Sequence, residues 1–268
     1  MKFSMSDAWR DATAMMSANR EVLLVIAGIF FLLPSLAMAF AVPGLQESMM
    51  ADPTMATDAL MDIYASWWWL LAIVLLAQLV GYLAMLALLR DTTRPTVAEA
   101  MKTGLSGVLT AIGMYLLPGL AALAISLVLG LLLAAIPALG AVAVLAALIA
   151  GIYVMVKLSL AMPVIAIEKV GSPIRAIARS WRLTRGNSLR LFLFYLLLVI
   201  VYLVVSTVIA AVLGLLFALL GGSTAMVLNG LVSSILSCVL TVVFVAVIAA
   251  VHRQLAGPSA EAVSATFE

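Results

Sequence analysis

The chain has 268 residues, of which 66% are apolar and 10% charged, with a formal net charge of +2. A soluble domain carries roughly 25% charged residues, so a fold of this composition cannot cover itself with polar surface, and lipid must be the solvent for most of it. Cytosolic enzymes, secreted enzymes and nucleic-acid-binding domains are excluded on that ground. One cysteine, Cys238, and one histidine, His252, allow no internal disulfide and no four-ligand Cys/His metal site.

Read in chain order, six segments reach the roughly 20 apolar residues that a spanning helix needs. They are Val22–Val42, Trp67–Leu89, Val108–Leu133, Leu139–Ile167, Leu189–Leu220 and Met226–Val251. The apolar run from Pro118 to Gly151 is too long for one crossing, and Pro137 and Gly140 mark a turn within 134–138. The leading segment is long and contains Asp7, Asp11 and Glu21. A cleavable signal has a short basic start, so the first apolar segment is expected to remain as span one.

The basic residues alternate between loops. Lys2, Arg10 and Arg20 precede span one; Arg90, Arg94 and Lys102 lie between spans two and three; and Lys169, Arg175, Arg179, Arg182, Arg185 and Arg190 lie between spans four and five. Arg253 follows span six. Loops 43–66, 134–138 and 221–225 contain no Lys or Arg, and the first carries Glu47, Asp52, Asp58 and Asp62. The positive-inside rule therefore predicts both termini and loops 90–107 and 168–188 in the cytoplasm. Trp67, Trp68 and Trp69 are expected at the outer interface.

A threefold internal pattern is expected: a short cytoplasmic interfacial helix, a span, an outer turn and a second span, in units of approximately 1–90, 91–168 and 169–253. Residues 254–268 are expected to form a flexible cytoplasmic tail. The three interfacial helices are placed at Ser6–Ala18, Thr96–Ser106 and Ser172–Arg185. Thr96 with Glu99 has the spacing of a capping box, Ser172 before Pro173 that of an N-cap with proline in the first turn, and Gly186-Asn187 that of a helix end. In the third helix Ile174, Ile177, Ala178 and Trp181 recur as an apolar stripe, and Arg175, Arg179 and Arg182 recur on another face. Such a helix lies flat in the headgroup layer with its arginines toward anionic phosphates.

The stretch from Lys157 to Asn187 contains Pro163, Glu168, Gly171, Pro173, Ala176, Ser180, Trp181, Leu183, Thr184 and Gly186. In that order and spacing these residues resemble the membrane domain of the bacterial glycerophosphodiester phosphodiesterase family. The close likeness covers about 30 residues, and the hydrophobic layout agrees over the rest. The resemblance implies a polytopic protein of the bacterial inner membrane, linked to lipid or envelope biology. That family's activity resides in a separate metal-dependent barrel needing His, Glu and Asp ligands. The catalytic barrel is absent from these 268 residues, so no enzymatic activity is expected to follow from the likeness.

Few ionisable residues fall inside the spans, where they usually mark function. Lys157 is the deepest charge. Glu168, eleven residues on, shares its helix face if the helix continues through Pro163, and Lys157 and Glu168 are then a candidate buried polar pair; otherwise Lys157 snorkels to the headgroups or holds a lipid phosphate. No acid, base or nucleophile constellation is visible. The fold class expected is an all-α bundle of six transmembrane helices in three pseudo-repeated pairs. The function expected is non-enzymatic binding of lipids or membrane-protein partners at the cytoplasmic interface. Arg175, Arg179, Arg182 and Trp181 would be the contact residues, anionic lipid headgroups the partner, and no cofactor, metal or nucleic acid would be involved. The rival is a transporter or exporter of a small or hydrophobic substrate, which an open cavity between the units would favour.

Overall fold

A computed structural model of the chain describes residues 3–41, 53–90, 96–219 and 221–257. Among these residues the secondary structure is entirely helical. Helix α1 (Met5–Ala18) runs almost directly into α2 (Arg20–Ala27), a π-helical turn (Gly28–Leu32) and α3 (Leu33–Ala41). Then follow α4 (Pro53–Leu88), α5 (Val97–Ala135), α6 (Pro137–Leu158), the short α7 (Ala161–Ala166), α8 (Pro173–Leu183), α9 (Ser188–Ala218) and α10 (Gly222–Ala256).

Six stretches of the described residues are long and apolar enough to cross a membrane: Arg20–Met38, Tyr64–Leu88, Val97–Ala135, Pro137–Ala166, Ser188–Ala218 and Val227–Ala256. They overlie the six spans read from the sequence. Prolines decide the breaks between them. Pro34 has no N–H to return to Phe30, and its ring crowds that carbonyl; the π-helical turn just before it absorbs the mismatch. Pro137 opens α6 in the first turn, leaving Ile136 as the hinge of the α5–α6 hairpin. Gly140 lies against the backbone of Leu133, where a Cβ would overlap main-chain atoms, so this hairpin closes only around glycine.

Three expectations are corrected here. The expected second interfacial helix, 96–106, is not a separate element. Its capping box forms, with Thr96 N–H donating to Glu99 and Glu99 N–H donating to the Thr96 hydroxyl, but α5 continues unbroken from it to Ala135. Nothing in 96–110 stops the helix, and Gly104 lets α5 approach the Val80 carbonyl of α4, where a Cβ would sit at 2.8 Å. Loop 43–66 is helical from Pro53 onward; Glu47 and Asp52 lie outside the described residues. The tail does not begin at 254, because Gln254 belongs to α10 and its side chain exchanges two hydrogen bonds with the Ser4 backbone, at 3.1 and 3.3 Å. Residues 258–268 lie outside the described residues.

The buried core is concentrated at one end of the bundle. Leu83–Leu89 of α4, Val245–Val251 of α10 and the whole of α7 are buried there, together with Leu23 and Ile26 of α2 and Ala8 and Ala12 of α1. The same end holds the first and last described residues. Helix α1 packs along α10, where Arg253 pairs with Asp11 at 2.7 Å, and Phe3 N–H donates to Asn187 Oδ1 at 3.0 Å. Toward the other end α5, α6 and α9 present leucine, isoleucine and valine outward, as segments surrounded by hydrocarbon do.

Candidate functional site: the loop and amphipathic helix between the fourth and fifth spans

The site is built where α6 stops. Pro163 would clash with the Ser159 carbonyl in a continuous helix, so α6 ends at Leu158 and Leu160 takes a non-helical turn before α7. All six residues of α7 are buried. The loop after it carries Lys169 in the left-handed region, φ +54°, and then α8 starts at Pro173. Ser172 occupies the N-cap position as expected, but its hydroxyl makes no capping hydrogen bond.

Glu168 is the hub of this loop. Its carboxylate accepts from Arg179 Nε on α8 at 3.0 and 3.2 Å and lies 3.0 Å from His252 Nε2 on α10. The ionised carboxylate accepts only, so Nε2 of His252 carries the proton in this contact. One carboxylate thus ties the loop, the amphipathic helix and the last span together. Burial pushes the Glu168 pKa up, but the hydrogen bonds and charges of His252 and Arg179 outweigh it and hold the carboxyl below its ordinary value.

The candidate pair of Lys157 and Glu168 does not form. The break at Ser159–Leu160 turns the two residues off a common helix face, and Glu168 is taken by Arg179 and His252. Lys157 is only 3% exposed. Its ammonium lies 5.4 Å from the Tyr153 ring centroid and 5.6 Å from that of Trp181, within cation–π range, and the two rings meet edge to face. The Lys157 carbonyl accepts from the Ser180 hydroxyl at 2.7 Å, which pins α8 to the end of α6.

Helix α8 divides the stripe read from the sequence, with Ile177 partly buried and Ile174, Ala178 and Trp181 exposed. The face turned into the protein is Ala176 and Ser180, both fully buried, with Ile177 and Leu183 partly buried beside them. Small residues are there because α8 lies close against α6 and α7. Ile174 and Trp181 face outward, at 67% and 40% exposure, with Ala178 exposed between them. Arg175 and Arg182 are exposed and form no ion pair among the described residues, whereas Arg179 turns inward onto Glu168. The four contact residues expected from the sequence are therefore divided, with Trp181, Arg175 and Arg182 on the surface and Arg179 in the scaffold that holds the surface in place.

The sequence reading missed His252. Its only signal was being the single histidine at the C-terminal end of an apolar span; the partner lies 84 residues away. Gln78 and Asn229, the other strong hydrogen-bonding groups in the spans, are not at this site. The family described as domain of unknown function DUF7847 matches residues 6–255, nearly the whole chain. The chain belongs to that family. No curated protein and no solved structure matches it. As a DUF7847 member it places its richest polar cluster, Lys157 to Thr184 with His252, at the end of the bundle where α1 and α10 also meet.

Proposed function

We propose that this protein is a non-enzymatic, multi-span protein of the bacterial inner membrane. It binds anionic phospholipid, or docks membrane partners, through α8 lying in the cytoplasmic headgroup layer. The observation that carries the reading is the outward face of α8: Ile174, Ala178 and Trp181 form an exposed apolar stripe flanked by the exposed Arg175 and Arg182. An isolated soluble helix would bury such a stripe. A helix at a membrane surface inserts it into the acyl boundary and leaves the arginines at phosphate height. Lys157, buried behind Trp181 and without an anionic partner among the described residues, adds a third positive charge at that level. The rigid seat made by Arg179, Glu168 and His252 keeps the helix in this orientation.

The cytoplasmic assignment rests on the alternation of basic loops, and the three-unit organisation with α1 and α8 as interfacial helices is part of the same reading. The resemblance over residues 157–187 to the membrane domain of glycerophosphodiester phosphodiesterases points the same way, toward envelope lipids. Transport of a small or hydrophobic substrate is the second reading; the cleft described below is the feature that favours it.

The test is native mass spectrometry of the protein released from nanodiscs of mixed phosphatidylglycerol and phosphatidylcholine. Wild type should retain phosphatidylglycerol selectively, and Arg175→Gln/Arg182→Gln with Trp181→Ala should retain fewer phosphatidylglycerol molecules per protein. Equal retention by the triple variant overturns the reading.

A further inference from the structure

Glu99, Thr103, Ser106 and Thr110 follow one another on α5 at intervals of three or four residues and so share one face of the helix. That face runs about 16 Å along the axis and lines a cleft of about 560 Å³. The opposite wall is the end of α4 at Ala87 and Arg90 and the segment from Ile165 to Gly171. The volume is in the range that encloses small ligands, roughly 300–1,000 Å³.

Two features of the cleft call for an anion. Among the described lining residues three are cationic, Arg90, Lys102 and Lys169, against one carboxylate, Glu99. Glu99 is turned back to accept the Thr96 N–H at 3.0 Å, whereas Lys102 and Lys169 are exposed and form no ion pair among the described residues. Lys169 also holds a left-handed backbone conformation in the loop that forms the wall. The second feature is Thr110 at the inner part of the cleft. It is 8% exposed and lines the cleft, and since no buried side-chain oxygen among the described residues lacks a partner, its hydroxyl is reachable from the cleft. Threonine in a helix ordinarily returns its hydroxyl to the carbonyl one turn back, as Thr184 and Thr241 do here. A hydroxyl reachable from a cationic cleft can donate to an oxygen of a bound ligand.

We propose that this cleft binds a phosphate-bearing anion. Lys102 and Lys169 hold the phosphate at the mouth, and the Thr110 hydroxyl donates to an oxygen of the attached group farther in. Lysine suits phosphate as a compact point charge. The phosphate belongs either to a phospholipid headgroup or to a small water-soluble phosphate ester. The site is separate from the outward face of α8 and does not depend on it.

The experiment uses the full chain with two probes. Retention of phosphatidylglycerol from phosphatidylcholine nanodiscs is read by native mass spectrometry, and glycerol 3-phosphate is titrated calorimetrically into protein in an uncharged detergent. Lys102→Gln/Lys169→Gln should weaken binding by at least about tenfold, the loss of two charge-assisted contacts, and Thr110→Val by about fivefold, the worth of one hydrogen bond. Thr110→Ser keeps the hydroxyl and should bind like wild type, which separates the contact from a packing defect. Arg175→Gln/Arg182→Gln should leave cleft binding intact. Retention of the lipid alone identifies a headgroup; binding of glycerol 3-phosphate that the lysine substitutions abolish identifies a soluble ester. Failure of wild type to bind either probe overturns the proposal. So does binding that the lysine pair leaves unchanged, and if the α8 variant alone abolishes it, the ligand belongs to that surface instead.

Discussion

Glu168 concentrates several functions in one carboxylate: it closes the loop after α7, seats α8 through Arg179 and reaches α10 through His252. Because its folded-state pKa is lowered, its contribution to stability is fully present above its unfolded-state value of about 4.3 and is lost as the pH falls through the lower folded-state value. Thermal unfolding in detergent should therefore show wild type losing stability steeply below about pH 4, a step that Glu168→Gln lacks. At neutral pH that variant should be less stable by about 1–3 kcal/mol, the usual worth of hydrogen bonds to a charged group. An identical acid profile for the two proteins would remove the hub role. The sequence offered Glu168 as a polar residue of interest but proposed Lys157 as its partner. The actual partners are eleven and 84 residues away, and the pairing depends on where Pro163 breaks the helix.

At the scale of elements, local chemistry reads well wherever a backbone rule decides. The Thr96–Glu99 capping box, the Pro137 hinge and the start of α8 at Pro173 stand where sequence places them. Local chemistry failed where two elements must be compared. The segment 96–106 carries every sign of a helix start and none of a stop, so its continuity with the span was open to be read; the contact of Gly104 with Val80 was not. The sequence reading assigned no inward face to α8; the structure turns Ala176 and Ser180 inward. In a membrane protein the strongly apolar side can face lipid while Ala176 and Ser180 allow close packing. The α5–α6 hairpin gives a sharp test. Gly140→Val forces a side chain into the Leu133 backbone and should destabilise the protein by about 1–3 kcal/mol, as overpacking does. Measured stability equal to wild type would mean that the hairpin closes elsewhere.

For the whole molecule, the core lies at one end and the lysines and arginines gather at that same end. Lys102, Lys169 and Arg90 line one cleft, Arg253 pairs with Asp11, and Asn187 binds the backbone at Phe3. An even number of crossings is the condition for that gathering. On a background in which Cys238 is replaced by serine, single cysteines at Lys102, Arg175 and Gly257 should react with an impermeant maleimide from one side of sealed vesicles, and one at Gly221 only from the other. A mixed pattern would require a different span count. The sequence by itself marked six helices long and apolar enough to cross a membrane, the proline breaks along them and the alternation of charge. Each of these follows from composition, from the length of a bilayer crossing, or from the backbone limits of proline and glycine, all of which are local. Only the tertiary structure decided that Glu168 joins Arg179 and His252, which face of α8 looks outward, and that a stripe of hydroxyls on α5 faces Lys169 across a cleft. Those depend on how helices distant in the chain rotate and approach. In a bundle surrounded by lipid, close packing of small residues sets that arrangement, and the hydrophobic pattern of a single helix says little about it.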